Sequence, residues 1–169
     1  MSKIKRTTLT VLLALCLPIV GTAGRAEGQA NAVDNRAFPN LTQIYVTSGV
    51  RDNGAGTNAG VATTVHCTNW TAATQQIRFL VRNAVGALAA NVTSQTPSLW
   101  TRTASTHLTA AFGEELVLAT GPVGQGSLRI FATAPQITCT AVVIDASTLE
   151  PVGTNLHLVR HNPWPNAQE

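Results

Sequence analysis

Residues 60–68, GVATTVHCT, and residues 136–145, QITCTAVVID, decide the fold. In residues 60–68 the side chains alternate so that Val65 and Cys67 fall on one face, a period of two that is typical of a β-strand. In residues 136–145 Cys139 also falls on an apolar face, while apolar residues occupy the other face too, as in a central strand covered on both sides. The two runs predict two strands that each direct one cysteine into the core.

Seven further runs show strand-like patterns, and Asn, Gly and Pro turn signals separate them. They lie at residues 43–50, 75–82, 87–93, 99–110, 114–120, 127–133 and 154–160. No long stretch has the 3.6-residue period of an amphipathic helix. We predict an all-β protein, an antiparallel β-sandwich of eight or nine strands; the alternative is a small β-barrel, because patterning does not separate open from closed sheets.

The two cysteines predict one disulfide. Cys67 and Cys139 both point inward, so we expect them to join the two sheets, and a loop of about 72 residues closed in this way removes about 4 kcal/mol of unfolded-state entropy. The likeness to immunoglobulin domains is in architecture only: Trp70 follows Cys67 by three residues, and position 137 is not tyrosine. The third cysteine, Cys16, lies in the segment that we expect to be removed.

The N-terminus has the pattern of a secretory signal peptide, with a basic start, an apolar stretch and small residues before the cleavage point. The apolar stretch is about 12 residues long, too short for the ~20 residues of a membrane-spanning helix. We predict a signal peptide at 1–23, with cleavage after Ala23 or, second, after Ala26. A flexible lead-in at 24–40 and a single sandwich domain at 41–169, with a short proline-containing tail, would follow.

Removal of the signal changes the charge. Lys3, Lys5 and Arg6 leave with it, so eight of the 11 basic residues remain against eight acidic ones. The remaining basic residues are arginines scattered singly along the chain, without the cluster that tracks a phosphate backbone. We therefore expect no nucleic-acid partner, and no membrane span in the exported form.

No metal, cofactor or catalytic motif is present in the sequence. His157 and His161 have zincin spacing, but the segment alternates with period two, and residues four apart on a strand lie about 13 Å apart along the chain. We predict no metal and no cofactor. No nucleophile elbow or S-x-x-K motif occurs, so no catalytic residue is assigned.

The stretch Arg51–Gly60 is longer than a hairpin needs, and long loops are often functional. Its hydrogen-bonding side chains make it the candidate binding loop: Asp52, Asn53, Thr57 and Asn58. A calcium site there is the less favoured interpretation, because the loop has one carboxylate.

Four segments carry a resemblance: GVRDNGAG (49–56), VHCTNW (65–70), ITCTAVVIDA (137–146) and LHLVRHNP (156–163). They are similar to segments of a group of small exported bacterial all-β proteins to which no activity is assigned. The resemblance spans roughly 41–163. It implies export and a bacterial source, and it transfers no functional residues.

The function most consistent with these features is a non-catalytic binding or structural module, located in the periplasm or outside the cell. Its partner would be a protein or a glycan, and its oligomeric state is not fixed by the sequence. The alternative is a small secreted hydrolase that uses Asp52, His66 or His157. A fibre subunit is a third, weaker alternative, because the lead-in lacks the alternating apolar residues of a donor strand.

Overall fold

A computed structural model describes residues 40–161 of the chain. The predicted signal peptide, all but the last residue of the predicted lead-in and the end of the proline-containing tail lie outside this range. Within it, no helix is long and apolar enough to span a membrane.

The described residues form ten strands, joined by turns and loops. They are β1 Thr42–Asp52, β2 Val61–Asn69, β3 Gln75–Asn83, β4 Leu88–Thr96, β5 Thr101–Ser105, β6 Glu115–Val117, β7 Val123–Ala132, β8 Ile137–Asp145, β9 Gly153–Leu156 and β10 Val159–Arg160.

The strands form two five-stranded sheets, which confirms the all-β sandwich; the barrel alternative is wrong, because the sheets do not close on each other. The first sheet has the order β10-β1-β7-β3-β4, and the second has the order β6-β5-β2-β8-β9. All pairings are antiparallel except that of β5 with β6, which is parallel. The second sheet is therefore mixed rather than purely antiparallel.

The parallel pair is explained by the connection between its strands, because parallel neighbours need a crossover. The predicted strand at 99–110 ends early, at Ser105, and residues 106–114 cross the outer face of the second sheet. Apolar residues of this crossover pack on apolar residues of β2, β8 and the turn after β8: Ala111 and Phe112 on Ala62, Val142, Ile144 and Ala146. This explains why the end of β8 is apolar on both faces.

The main core lies between the two sheets, and each strand that lines it contributes the side chains of one of its faces. Its fully buried members include Ile77 and Phe79 from β3, Leu128 and Ile130 from β7, and Val65 from β2. In β2 and β3 these positions are the inward ones that the sequence alternation predicts.

The predicted strand at 154–160 is divided in two. β9 pairs with β8 in the second sheet, and β10 pairs with β1 in the first, so the chain changes sheets at His157 and Leu158. Leu156 and Leu158 pack against the core, as the alternation predicts. The change of sheet accounts for ten strands where eight or nine were expected.

Cys67 and Cys139 form the predicted disulfide. They are directly opposite each other on neighbouring strands, with Cα atoms 4.2 Å apart, so the bond joins β2 to β8 within the second sheet. The expectation of a bond between the sheets is wrong. Inward phase places both cysteines in the core, but it does not determine which strands are neighbours.

Candidate binding surface

Three large apolar residues lie exposed at the end of the sandwich where β2 finishes and β5 begins. Trp70 is 60% exposed, Leu99 67% and Trp100 59%. At these fractions each indole leaves on the order of 100–150 Å² in solvent. Backbone hydrogen bonds of Asn69 with Leu99 and Trp100 bring the three residues to the same end of the sandwich. We call these three residues the end surface.

A buried asparagine holds the end surface together. Asn69 is 0% exposed, and its Nδ2 donates to the carbonyls of Ala73, Thr96 and Pro97 at 2.8–3.0 Å. Its Oδ1 accepts from the backbone N–H and the hydroxyl of Thr71, at 2.9 and 2.8 Å. One side chain thus fixes both the 70–74 loop and the 97–100 turn.

The backbone of the 97–100 turn is strained at Leu99, which has a φ of 61°. The Leu99 N–H donates to the Asn69 carbonyl and the Asn69 N–H donates to the Trp100 carbonyl, so that two residues of one strand oppose one of the other, as in a β-bulge. Glycine normally occupies the positive-φ position of such a bulge, and an L side chain there costs about 1–2 kcal/mol. The chain retains a leucine with an exposed side chain at that cost.

Beside the end surface, the outer face of the second sheet carries a group of threonines. Thr68 of β2 pairs with Thr101 of β5 and with Thr138 of β8, and Thr140 lies two residues further along β8. Thr101, Thr138 and Thr140 are exposed, and the Thr68 and Thr101 hydroxyls are 2.8 Å apart. We call these four residues the threonine face.

Charged residues are missing from the segments that form both surfaces. Residues 68–77, 93–101 and 133–140 contain no Asp, Glu, Lys, Arg or His. Two arginines border them, and both bond to protein acceptors: Arg102 Nη2 donates to the Gln95 carbonyl at 3.1 Å, and Arg160 Nη2 to the Pro135 carbonyl at 2.9 Å. His66, which pairs with Thr140, adjoins the threonine face. The segments that form the two surfaces are therefore aromatic and polar, and the charged side chains lie at their border.

The candidate binding loop lies at the opposite end of the sandwich, and its carboxylate is not exposed. Asp52 is 2% exposed; Oδ1 accepts from the Gly54 N–H at 2.7 Å, and Oδ2 from the Thr120 hydroxyl at 3.1 Å. Asn53, Thr57 and Asn58 are exposed. A binding role for the loop stays a prediction. Asp52 shapes the loop from a buried position and is not exposed to a partner.

His107, a residue that the sequence analysis did not single out, fastens this loop. Its Nε2 donates to the Ala59 carbonyl at 3.0 Å, and its Nδ1 lies 2.9 Å from Asp52 Oδ2. Because Nε2 donates, the bond to Asp52 needs a second proton, either on Nδ1 or on the carboxyl. No periodic signal marks His107, which lies in the crossover and not in a strand.

His66, a residue of the hydrolase alternative, lies on the outer face of β2. Its Nδ1 is 3.0 Å from the Thr103 hydroxyl, and its ring meets Phe112 edge-on at 4.8 Å. Burial lowers the pKa of His66, and the nearby Glu115 carboxylate opposes this shift in part. Glu115 does not bond to the imidazole; its oxygens accept from Ser105 and from Thr109, which anchors the crossover.

The residues of the hydrolase and metal hypotheses are not brought together. Asp52 bonds to His107, and His66 to Thr103, while His157 and His161 are exposed on either side of β10. Within residues 40–161 no group of three His, Cys, Asp or Glu side chains is placed to hold a metal ion. Asp52, the one carboxylate of the loop, already has hydrogen-bonding partners in the protein at both oxygens, so the calcium interpretation of the loop stays the less favoured one.

The arginines are less scattered in space than along the chain. Arg78, Leu80 and Arg82 follow one another at every second position of β3 and so lie on the same face. Arg129 of β7 pairs with Leu80, so the three arginines share the outer face of the first sheet. Arg78 is 1% exposed, with Nε donating to Asn91 at 2.5 Å and the guanidinium over Phe131. Sequence spacing alone therefore did not show this grouping.

Comparisons with known proteins give little similarity. No family model matches the chain, and no curated protein matches it. One solved structure is similar, the crystal structure of Thermotoga maritima 1070, with 10% identity and a TM-score of 0.41 over 70% of this chain and 90% of that chain. Similarity at this level supports no argument about function, and the comparisons place the chain in no family.

Proposed function

We propose that the protein is an exported, non-catalytic binding module that engages its partner through the end surface. The observation that carries this proposal is the joint exposure of Trp70, Leu99 and Trp100 at one end of the sandwich. Isolated exposed apolar residues are ordinary, but three large ones gathered at one end of a domain favour an interaction site there. Tryptophan is also the residue type most enriched among the energetic anchors of binding surfaces.

The way the end surface is held supports the same conclusion. Asn69 fixes the two turns that carry the aromatic residues, so little ordering is left to occur on binding, and a preformed surface binds at lower entropic cost. Leu99 also has a positive φ, a local strain that glycine at this position would relieve. Such strain tends to persist where presentation of a side chain matters.

Export is part of the proposal, and the disulfide supports it. Bonds such as Cys67–Cys139 persist in oxidising compartments and are rare in the cytosol. The signal-peptide pattern at residues 1–23 is the sequence support. Together they favour the periplasm or the extracellular space.

A secreted hydrolase is the alternative function, and one observation favours it. His66 has a lowered pKa, so it is neutral at pH 7, and it lies beside a hydroxyl. However, no carboxylate orients the imidazole, as a Ser–His–Asp arrangement requires. One open cavity of about 250 Å³ lies at the other end of the sandwich, away from His66, and is lined by Asn83, Gly126 and their neighbours.

The proposal is tested by capture from a cell-surface extract of the source organism. The double variant Trp70→Ala/Trp100→Ala is compared with the parent and with Leu149→Ala/Val152→Ala, which removes exposed apolar side chains at the opposite end. We expect the tryptophan variant to lose most of the material that the parent retains and the control variant to keep it. Equal retention by the tryptophan variant and the parent would refute the end surface as the binding site. Substrate turnover that disappears in His66→Ala would refute the non-catalytic function.

A further inference from the structure

We infer that the partner is a neutral, extended polysaccharide, which lies across the threonine face and stacks on the tryptophans of the end surface. This inference rests on the proposed function, because it names the ligand class of the same site. Its evidence is the chemistry and layout of the residues around Trp70 and Trp100 rather than their exposure alone.

The tryptophans supply one half of the recognition that a sugar ring requires. A pyranose ring presents polarised C–H groups on its flat faces, and these pack against the electron-rich face of an indole. Trp70 extends the pairing of β2 with β8, because its N–H donates to the Gln136 carbonyl, and this keeps Trp70 in phase with Thr68 of the threonine face. Trp100 stands at the end of the adjoining strand, where its carbonyl accepts from the Asn69 N–H. Two tryptophans at one end of the sandwich favour a chain of sugars over a single sugar.

The threonines supply the other half, which is hydrogen bonding along the chain of sugars. Hydroxyl groups on neighbouring strands recur about every 4.8 Å, and those two residues apart on one strand about every 6.7 Å. Thr101, Thr68 and Thr138 form one row across three strands, and Thr140 begins the next. Each hydroxyl both donates and accepts, which matches the hydroxyls of a polysaccharide.

The missing charge separates this ligand from anionic polymers. Nucleic acids and anionic polysaccharides require Lys or Arg contacts. The segments that form the two surfaces carry no charged residue, and the bordering Arg102 and Arg160 donate to backbone carbonyls. A neutral ligand with many hydroxyls is the chemistry that this surface complements.

The test uses the folded, disulfide-bonded protein and five polymers in affinity electrophoresis. Four are neutral: a β-1,4-glucan, a β-1,3-glucan, chitin and an α-glucan. The fifth, heparin, is anionic. We expect retardation by at least one neutral polymer, unchanged between low and high salt because no charges are neutralised. We expect roughly tenfold weaker binding in Trp70→Ala and in Trp100→Ala, as for an aromatic anchor, and weaker binding in Thr138→Val.

The controls and contrary outcomes separate this inference from the proposed function. Trp100→Phe keeps an aromatic ring and should retain part of the affinity, and Leu149→Ala should match the parent. Retardation by heparin alone, or by none of the five polymers, would overturn the polysaccharide inference. If the same tryptophan variants then failed to capture a protein that the parent binds, the binding function would stand while its ligand class was wrong. Neutral-polymer binding that is insensitive to both tryptophan changes would overturn the assigned surface itself.

Discussion

Replacement of Asn69 by alanine should destabilise the protein strongly, because this side chain holds the two turns that carry the end surface. The side chain is fully buried and bonds to three carbonyls and to the Thr71 N–H. Its two N–H hydrogens and that backbone N–H make about three hydrogen bonds, each worth ~1 kcal/mol net. The free energy of unfolding should therefore fall by about 3 kcal/mol. Asn69→Asp should cost more, because it places a buried carboxylate against carbonyl oxygens.

Urea unfolding followed by circular dichroism measures both changes, and the midpoint should move without a change in slope. The control is Asn155→Ala, which removes an exposed asparagine side chain from β9 and should change stability by less than about 0.5 kcal/mol. A loss below about 1 kcal/mol in Asn69→Ala would show that the two turns keep their shape without this side chain. The preformed character of the end surface would then have to come from somewhere else.

Four further changes test other parts of the structure. Leu99→Gly should relieve the positive φ and leave the urea midpoint equal to or above that of the parent, while partner capture falls; a clear loss of stability would show that Leu99 is not strained. Because the pKa of His66 is lowered by folding, the folded state binds fewer protons than the unfolded state just below pH 6.5. The free energy of unfolding should therefore decline as the pH falls from 6.5 through the pKa of the folded state. His66→Gln, measured over the same pH series, should remove this decline. Cys67→Ala/Cys139→Ala should lose about 4 kcal/mol, and intact mass after alkylation without reductant should show no modified cysteine in the parent. Asp52→Asn should lose about 3 kcal/mol in urea unfolding, because a buried carboxylate that accepts several donors is replaced; a change within 0.5 kcal/mol would contradict the loop-fastening role.

The strands that line the core were predictable, because burial of one face imposes a period of two on the sequence. In β2, inward Val65 and Cys67 alternate with residues of the outer face, and the assignment was correct to within a residue at each end. The same holds for β3 around Ile77 and Phe79. Alternation does not specify which strands become neighbours, and so the disulfide was assigned between the sheets instead of within one.

The crossover at 106–114 was not predictable from periodicity. Its shape comes from bonds to distant residues: the Thr106 hydroxyl accepts from the Thr63 N–H, His107 meets Asp52, and the Thr109 N–H donates to Glu115. A threonine-rich segment of this kind has the composition of a strand. Only the tertiary structure shows that it leaves the sheet after Ser105.

The end surface was also missed in the sequence, where Trp70 served only for comparison with immunoglobulin domains. A signal was present, since Trp70 and Trp100 lie just outside two strands and Trp100 follows the turn residue Pro97 by three positions. Whether a tryptophan beside a turn is buried or exposed depends on what packs over it. That information is absent from a single sequence.

The most direct test of the end surface is hydroxyl-radical footprinting of the protein alone and bound to material captured from the cell surface. The described residues contain two tryptophans, Trp70 and Trp100, both more than half exposed and so open to oxidation in the free protein. If the end surface is the binding site, both should become protected on binding, while the peptide containing Thr57 and Asn58 should be oxidised at an unchanged rate. Protection of that peptide with unchanged oxidation of both tryptophans would contradict the proposal and transfer the binding site to the Arg51–Gly60 loop.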